Sequence, residues 1–316
     1  MCTKNEAERI IQDSLSIERL KKIILKTSIV AWDNKVSDSS INRWLENFTG
    51  KYFSSIEVEK KLALWLLAHF TFYSNNDVRI LCKDLFNLIL HKKLVENRNV
   101  KSFDEVLDEL LNDSLFVGLG NGSESGNTIL YYFRQENKLS KKCFEPEDGH
   151  RYKNLIFVDD VTMSGSQACS YGKKFKIDAE NKYVGFLIAT EEAVKVISES
   201  PLGMQPIATM VLDKRDKAFS EDSFVFSDPK VKDIIGFAKE FCLEYGRIAV
   251  QGEPYMFKWP LGFADGEYLI GFEYNTPDNS LPIFWGTGNG WIPIFKRYEK
   301  IYGTGKESAI DGRKYY

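Results

Sequence analysis

Hydrophobic positions along the first 112 residues recur at helical spacing. In "SSIEVEKKLALWLLAHFTFY", Leu62, Trp65, Leu66, His69 and Phe70 return at intervals of three and four, and Ser54 precedes Glu57 at the spacing of a capping box. "NDVRILCKDLFNLILHKKL" repeats the pattern through Ile80, Leu81, Leu85, Leu88 and Ile89. Amphipathic helices are predicted, within a helical domain over residues 1–112. The lone His69 on a mostly apolar face reads as a packed core residue.

The pattern then changes. Leu115 to Leu119 reads as a short strand, Gly120 to Gly126 as a loop of small residues, and Asn127 onward as a helix with Ile129, Leu130 and Phe133 apolar. "NLIFVDDVTMSGSQACSYGKKF" repeats the order strand, loop, helix; "YVGFLIAT" leads into the helical "EEAVKVISES", and Ile207 to Leu212 adds another strand. Strands alternating with helices imply an α/β domain with a parallel sheet, assigned to residues 113–316. From about residue 245, glycine, proline and aromatic residues crowd together, too many breakers for helices. Short strands and ordered loops are expected there, forming a hood over one end of the sheet, and the last dozen residues read as a frayed tail.

Composition narrows the function only by exclusion. A net charge of −3 and a pI near 5.8 give no overall pull toward nucleic acid or an anionic membrane. The five cysteines are scattered, with no CxxC pair or nearby histidine, and read as free thiols. The first residues lack the apolar core of a signal peptide, and no run of about 18 apolar residues occurs. A cytoplasmic protein without membrane contact is expected.

The candidate chemistry lies in "NLIFVDDVTMSGSQA", residues 154–168. Ligands of a parallel α/β sheet bind beyond the carboxyl ends of its strands. Residues Thr162 to Ser166 follow a strand and open a helix, so their backbone N–H groups suit a phosphate, with the Thr162, Ser164 and Ser166 hydroxyls as further donors. Asp159 and Asp160 would repel that phosphate. They are expected to face something attached to it: sugar hydroxyls, a cation, or both. A sugar phosphate satisfies both halves. As a dinucleotide fingerprint, "GLGNG" fails, because its third glycine is misplaced and no acid follows at the right distance.

"LIFVDDVTMSGSQ" resembles the signature loop of the type I phosphoribosyltransferases, with four apolar residues, two acids and a Ser-Gly turn. The chain as a whole, with its helical front and "FEYNTPDNSLPIFWG" in the tail, is similar to PRTase-CE, a bacterial phosphoribosyltransferase-like family associated with conflict systems. The resemblance implies a sheet of the type I phosphoribosyltransferase kind, phosphoribosyl pyrophosphate as substrate, and Mg²⁺ held indirectly at Asp159 and Asp160 through the ribose and diphosphate. It implies that Asp159 and Asp160 hold the ribose, that Thr162, Met163, Ser164, Gly165 and Ser166 take the 5′-phosphate, and that Gly120, Asn121, Gly122, Ser123, Ser125 and Gly126 contact pyrophosphate. Tyr274, Asn275, Asp278, Asn279 and Trp285 are the acceptor-side candidates in the hood, or a proline-fixed loop tying down its own backbone.

Two departures bear on activity. Met163 stands where purine enzymes of the family place a proton-moving carboxylate, so purine salvage loses its acid/base group. Gln167 replaces the usual closing Thr or Ser. Residues 139–153 read as a mobile flap, with Lys141, Lys142, His150 and Arg151 as phosphate contacts, or as a solvated turn; Asp213 to Asp216 line the site or cover a surface. The implied function is a phosphoribosyltransferase-like defence effector that transfers ribosyl phosphate to an unidentified acceptor. The alternative is a non-catalytic ribose-phosphate or nucleotide sensor that docks partner proteins. The resemblance implies a protein partner such as a reverse transcriptase or a regulator, with nucleic acid reached only through it, and leaves self-association open.

Overall fold

Hydroxyl side chains start most helices of the front. In the computed structural model, which describes residues 2–120, 125–147, 149–253 and 255–297, α1 (Lys4–Ser14), α2 (Ile17–Ala31) and α3 (Asp38–Leu45) are capped by Thr3, Ser16 and Ser37. α4 (Ile56–Ala68) departs from the predicted capping box. Ser55 occupies its cap position without a side-chain bond, and Ser54 instead binds Glu8 of α1 through its N–H and hydroxyl. A tertiary acceptor has outcompeted the local one.

After β1 (Thr71–Tyr73), capping boxes at Ser74 and Ser102 open α5 (Asn75–Asn97) and α6 (Phe103–Asn112). Along α5 the buried stripe is Val78, Cys82, Leu85, Phe86 and Ile89, whereas Ile80 and Leu88 lie exposed. The core chose a face rotated from the one the apolar count suggested.

The sheet follows: β2 (Ser114–Gly118), α7 (Ser125–Glu136), β3 (Tyr152–Thr162), α8 (Ser166–Lys174), β4 (Ala179–Thr190), α9 (Glu191–Ser198) and β5 (Met204–Leu212). The four strands are parallel in the order β2-β3-β4-β5, with Val117 opposite Phe157 and Phe157 opposite Val184. Both faces are covered. Phe116, Ile156, Val158 and Tyr183 pack with Leu85 of α5 and Ile129 and Phe133 of α7, while Leu155, Phe157, Val184 and Phe186 pack with Ala168 of α8 and Ile197 of α9. That is why β3 reads as a continuous apolar run rather than an alternating one. The fold is α/β with a parallel sheet.

The remaining chain contributes α10 (Ile235–Ala249), β6 (Ile270–Phe272) and α11 (Pro282–Trp285). β6 pairs in parallel with β1, so hood and front share a two-stranded ribbon. A second core joins α1 to α4 with this C-terminal segment: Trp44 stacks on Phe284, Phe48 stacks on Phe241, and the Trp44 indole N–H donates to the Ile283 carbonyl at 2.8 Å. α5 and α6 instead lie with the sheet, Leu85 filling the space over Gly185 of β4. The hood spans both cores, with Ile270 and Phe272 toward the sheet and Leu269 and Leu281 toward the front.

Candidate functional site

β3 carries both acids to its carboxyl end. Successive strand residues point to opposite faces, yet Asp159 and Asp160 meet, because each carboxylate folds back on the next backbone N–H. Asp159 Oδ1 accepts from Asp160 N at 2.9 Å, and Asp160 Oδ1 from Val161 N at 2.8 Å. The Ser125 hydroxyl at the start of α7 bridges them, 3.3 Å from Asp159 Oδ1 and 3.0 Å from Asp160 Oδ1. Both acids are buried, at 4% and 6% exposure. Burial and then the neighbouring Asp160 charge push the Asp159 carboxyl well above the ordinary carboxylate range.

Residues 163–165 form the turn between β3 and α8. Gly165 has φ 71°, left-handed backbone that favours glycine, and a Cβ there would stand 3.0 Å from the Ala193 carbonyl and 3.1 Å from Ile197 of α9. Its N–H donates to Thr162 Oγ1 at 3.2 Å, and Ser166 N–H reaches Ser164 Oγ at 3.4 Å. These long internal bonds are ones an anion at the α8 N-terminus would take over. The Met163 carbonyl is pinned by the Thr190 hydroxyl at 2.7 Å.

On the other side of the acids, Gly126 sits so close to the end of β2 that a Cβ would lie 2.1 Å from the Leu119 carbonyl. This contact brings Ser125 onto the acidic pair. Gly120, Ser125 and Gly126 of the proposed pyrophosphate loop are thus placed near the strand ends; Asn121, Gly122 and Ser123 lie outside the described residues.

The hood completes the enclosure. Asp159, Asp160, Thr162, Met163, Ser164 and Ser166 face Asn275, Asp278 and Asn279 across a cleft of about 330 Å³, at the small end of ligand pockets. Tyr274 reaches the acids themselves, its hydroxyl donating to Asp160 Oδ2 at 3.0 Å. Trp285 does not line the cleft: it is buried behind the hood, its indole N–H on the Ser280 carbonyl at 2.8 Å. Asn275 and Asn279 also tie down backbone, accepting from Thr276 N and donating to the Phe263 carbonyl.

Sequence reasoning missed Arg297. It lines the cleft, donates to the Thr276 carbonyl at 2.6 Å, and pairs with Asp278 at 3.1 Å. Phe186, Phe263 and Phe272 add apolar wall. Nothing in the spacing of these residues marks them; they converge only when the hood folds back over β3.

The flap candidates lie away from the cleft lining. Lys141 pairs with Glu145, His150 with Asp113, Arg151 with Asp178, and Lys142 is exposed. Asp213 pairs with Arg215, and Lys214 with Asp222, on the surface. His69 is half-buried against Trp65, with Nδ1 2.8 Å from the Trp65 carbonyl.

Among the described residues no group of three or more His, Cys, Asp or Glu gathers as a metal cage. The two adjacent carboxylates at the end of β3 would suit a cation that completes its shell with water and the oxygens of a bound diphosphate, the coordination Mg²⁺ favours. No described helix is long and apolar enough to cross a membrane.

No curated protein matches the chain significantly. Among solved structures, orotate phosphoribosyltransferase from Aeropyrum pernix is similar at 12% identity over 33% of this chain and 63% of that one, with a TM-score of 0.24. UMP synthase from Leishmania donovani is similar at 13% identity over 56% of this chain and 37% of that one, TM-score 0.29. A hypothetical protein from Neisseria gonorrhoeae with bound ppGpp is similar at 14% identity over 54% of this chain and 97% of that one, TM-score 0.29. These likenesses are partial. The sequence match is broader: the PRTase-CE family model covers residues 41–297, from α3 through the cleft to Arg297, and the chain belongs to the PRTase-CE family of phosphoribosyltransferase-like proteins.

Proposed function

We propose that the cleft binds phosphoribosyl pyrophosphate, or a related ribose phosphate, and transfers the ribosyl phosphate to an acceptor with release of pyrophosphate. One observation carries the reading: a buried carboxylate pair and a left-handed glycine turn opening a helix lie side by side on one cleft. Residues Thr162 to Ser166 take the 5′-phosphate, and Asp159 and Asp160 accept hydrogen bonds from the ribose hydroxyls. Gly120, Ser125 and Gly126, between the end of β2 and the start of α7, lie on the diphosphate side. The bond from ribose C1 to the diphosphate oxygen breaks with its electron pair, and a bond from the acceptor nucleophile to C1 forms. Asp159 and Asp160 would hold Mg²⁺ indirectly, through the ribose and diphosphate, and the ion would supply neutralising charge to the diphosphate. The acceptor enters on the hood side, against Asn275, Asp278 and Asn279.

Calorimetry with phosphoribosyl pyrophosphate and Mg²⁺ tests this directly. The wild type should bind and Gly165→Val should not, because the new side chain collides with the α9 backbone and forces the turn open. Circular dichroism should show the sheet intact in the variant. Equal binding by the two proteins refutes the phosphate cradle.

Met163 favours a second reading, a ribose-phosphate or nucleotide sensor without turnover, since an apolar side chain occupies a place suited to a proton-moving acid. Ligand binding without pyrophosphate release on incubation with cell metabolites selects it. In either case we assign the protein to a bacterial defence system as an effector or regulator working with a partner protein, such as a reverse transcriptase. The family membership supports this assignment. Absence of both phage protection and toxicity when the protein is expressed with its partner would remove it; either effect surviving loss of both acids would instead separate it from the ribose-phosphate site.

A further inference from the structure

α5 buries Val78, Cys82, Leu85, Phe86 and Ile89 along one face. On the opposite face Ile80, Leu88 and Val95 stand 51%, 39% and 52% exposed. Single exposed apolar residues are ordinary on a protein surface, but these three share one line. At about 100° per residue, Asp77, Ile80, Asp84, Leu88, His91, Val95 and Arg98 fall within an arc of about 80°, along about 32 Å of helix. Arg98, the C-cap, keeps helical backbone and so continues the line. Asp84, His91 and Arg98 are exposed, and among the described residues none of them makes an ion pair. Asp77 is half-buried and binds the Ser74 cap through Oδ2.

The order along the line is acid, apolar, acid, apolar, base, apolar, base. Reversed about Leu88, it is its own complement. Laid antiparallel on a second copy, Asp77 meets the partner's Arg98, Ile80 the partner's Val95, Asp84 the partner's His91, and Leu88 the partner's Leu88. A carboxylate accepts from an imidazole N–H whether the ring is neutral or charged, so the Asp84 contact does not depend on protonation. A parallel copy would instead set Asp84 against Asp84 and Arg98 against Arg98, which repels. We infer that this face of α5 binds a second copy of the chain in antiparallel register, forming a twofold dimer. A different protein on the same face would not require the charges to reverse about a central leucine. A patch one helix wide lies at the small end of stable interfaces, so the dimer is reversible and its fraction rises with concentration. None of the seven residues lines the cleft, and the inference is independent of what the cleft binds.

Analytical ultracentrifugation of the full chain tests this. The wild type should show a monomer–dimer equilibrium at concentrations up to about 100 μM. Leu88→Glu, which opposes two carboxylates at the twofold axis, should be monomeric over the same range, with unchanged circular dichroism because the side chain is on the surface. Asp84→Lys and His91→Glu should each dimerise several-fold more weakly than the wild type. A chain carrying both changes should recover the dimer, since each new charge then faces its opposite across the interface. A wild type that stays monomeric overturns the inference, as does a dimer that Leu88→Glu leaves intact, which would lie on another face. Weakening by both single changes without recovery in the double variant overturns the antiparallel register.

Discussion

Changing Asp159 and Asp160 together to Asn should abolish ribose-phosphate binding while leaving the protein at least as stable near neutral pH. Each acid offers a sugar hydroxyl a charge-assisted hydrogen bond of about 1.5–3 kcal/mol, on the order of tenfold to a hundredfold in affinity apiece. The stability effect runs the other way. Asp159 is raised above the ordinary carboxyl value of 3.8, first by burial and then by Asp160. A group whose folded-state value is raised contributes stability that is complete below its unfolded value and is lost as pH climbs through the folded one. As pH rises the wild type therefore loses the stability that Asp159 contributes at low pH. The doubly substituted protein should gain on the wild type as pH rises from about 4 toward neutrality, and melting curves across that range measure the difference. A purely structural pair gives the opposite pattern: a lower melting temperature at neutral pH, with binding lost only as folding is lost.

The largest loss of stability is expected from Glu59→Ala, far from the cleft. Glu59 is fully buried on α4. Its carboxylate accepts from the N–H groups of Gly50, Tyr52 and Phe53 at 2.6, 2.7 and 3.0 Å, and from the Tyr245 hydroxyl of α10. Burial, with Glu59 as the next cause, pushes the Tyr245 phenol up to about 12, so it stays a donor. Alanine leaves four donors without this acceptor, of which the Phe53 N–H and the Tyr245 hydroxyl are in buried bonds. At roughly 1 kcal/mol or more for each buried donor left unpaired, the cost is at least about 2 kcal/mol. Urea titration should show it as a lower midpoint with little change in slope. Glu59→Gln, which keeps one acceptor, should fall between. A change below about 1 kcal/mol in the alanine variant would mean that water replaces the carboxylate and that the loop at 49–53 is held by its aromatic contacts instead.

Much of the sheet domain was legible because its signals are local. The run Leu155 to Val158, the acids that end it, and the glycine turn that opens α8 are consecutive in sequence, and periodicity with turn chemistry reads such stretches well. The strand-loop-helix order placed Ser125 and Asp159 at strand ends, where a parallel sheet presents its ligands. The helical front was legible in kind but not in detail. Ile80 and Leu88 fit the helical period as well as Val78 and Phe86 do, and only the neighbouring elements decide which stripe is buried. The flap candidates illustrate the same limit: Lys141, His150 and Arg151 are plausible phosphate contacts by charge, yet each found a carboxylate nearby.

By itself, then, the sequence determined the alternation that makes a parallel sheet and the position of two carboxylates beside an anion turn, since both are carried by residues within one strand, one turn and one helix start. Tertiary structure decided what encloses them. Tyr274 lies 114 residues from Asp160 along the chain, and Arg297 meets the cleft only because β6 pairs with β1 and Trp44 docks on Ile283. Contacts of that sequence separation leave no periodic mark, because they depend on how two cores pack together rather than on how any one segment buries its own face.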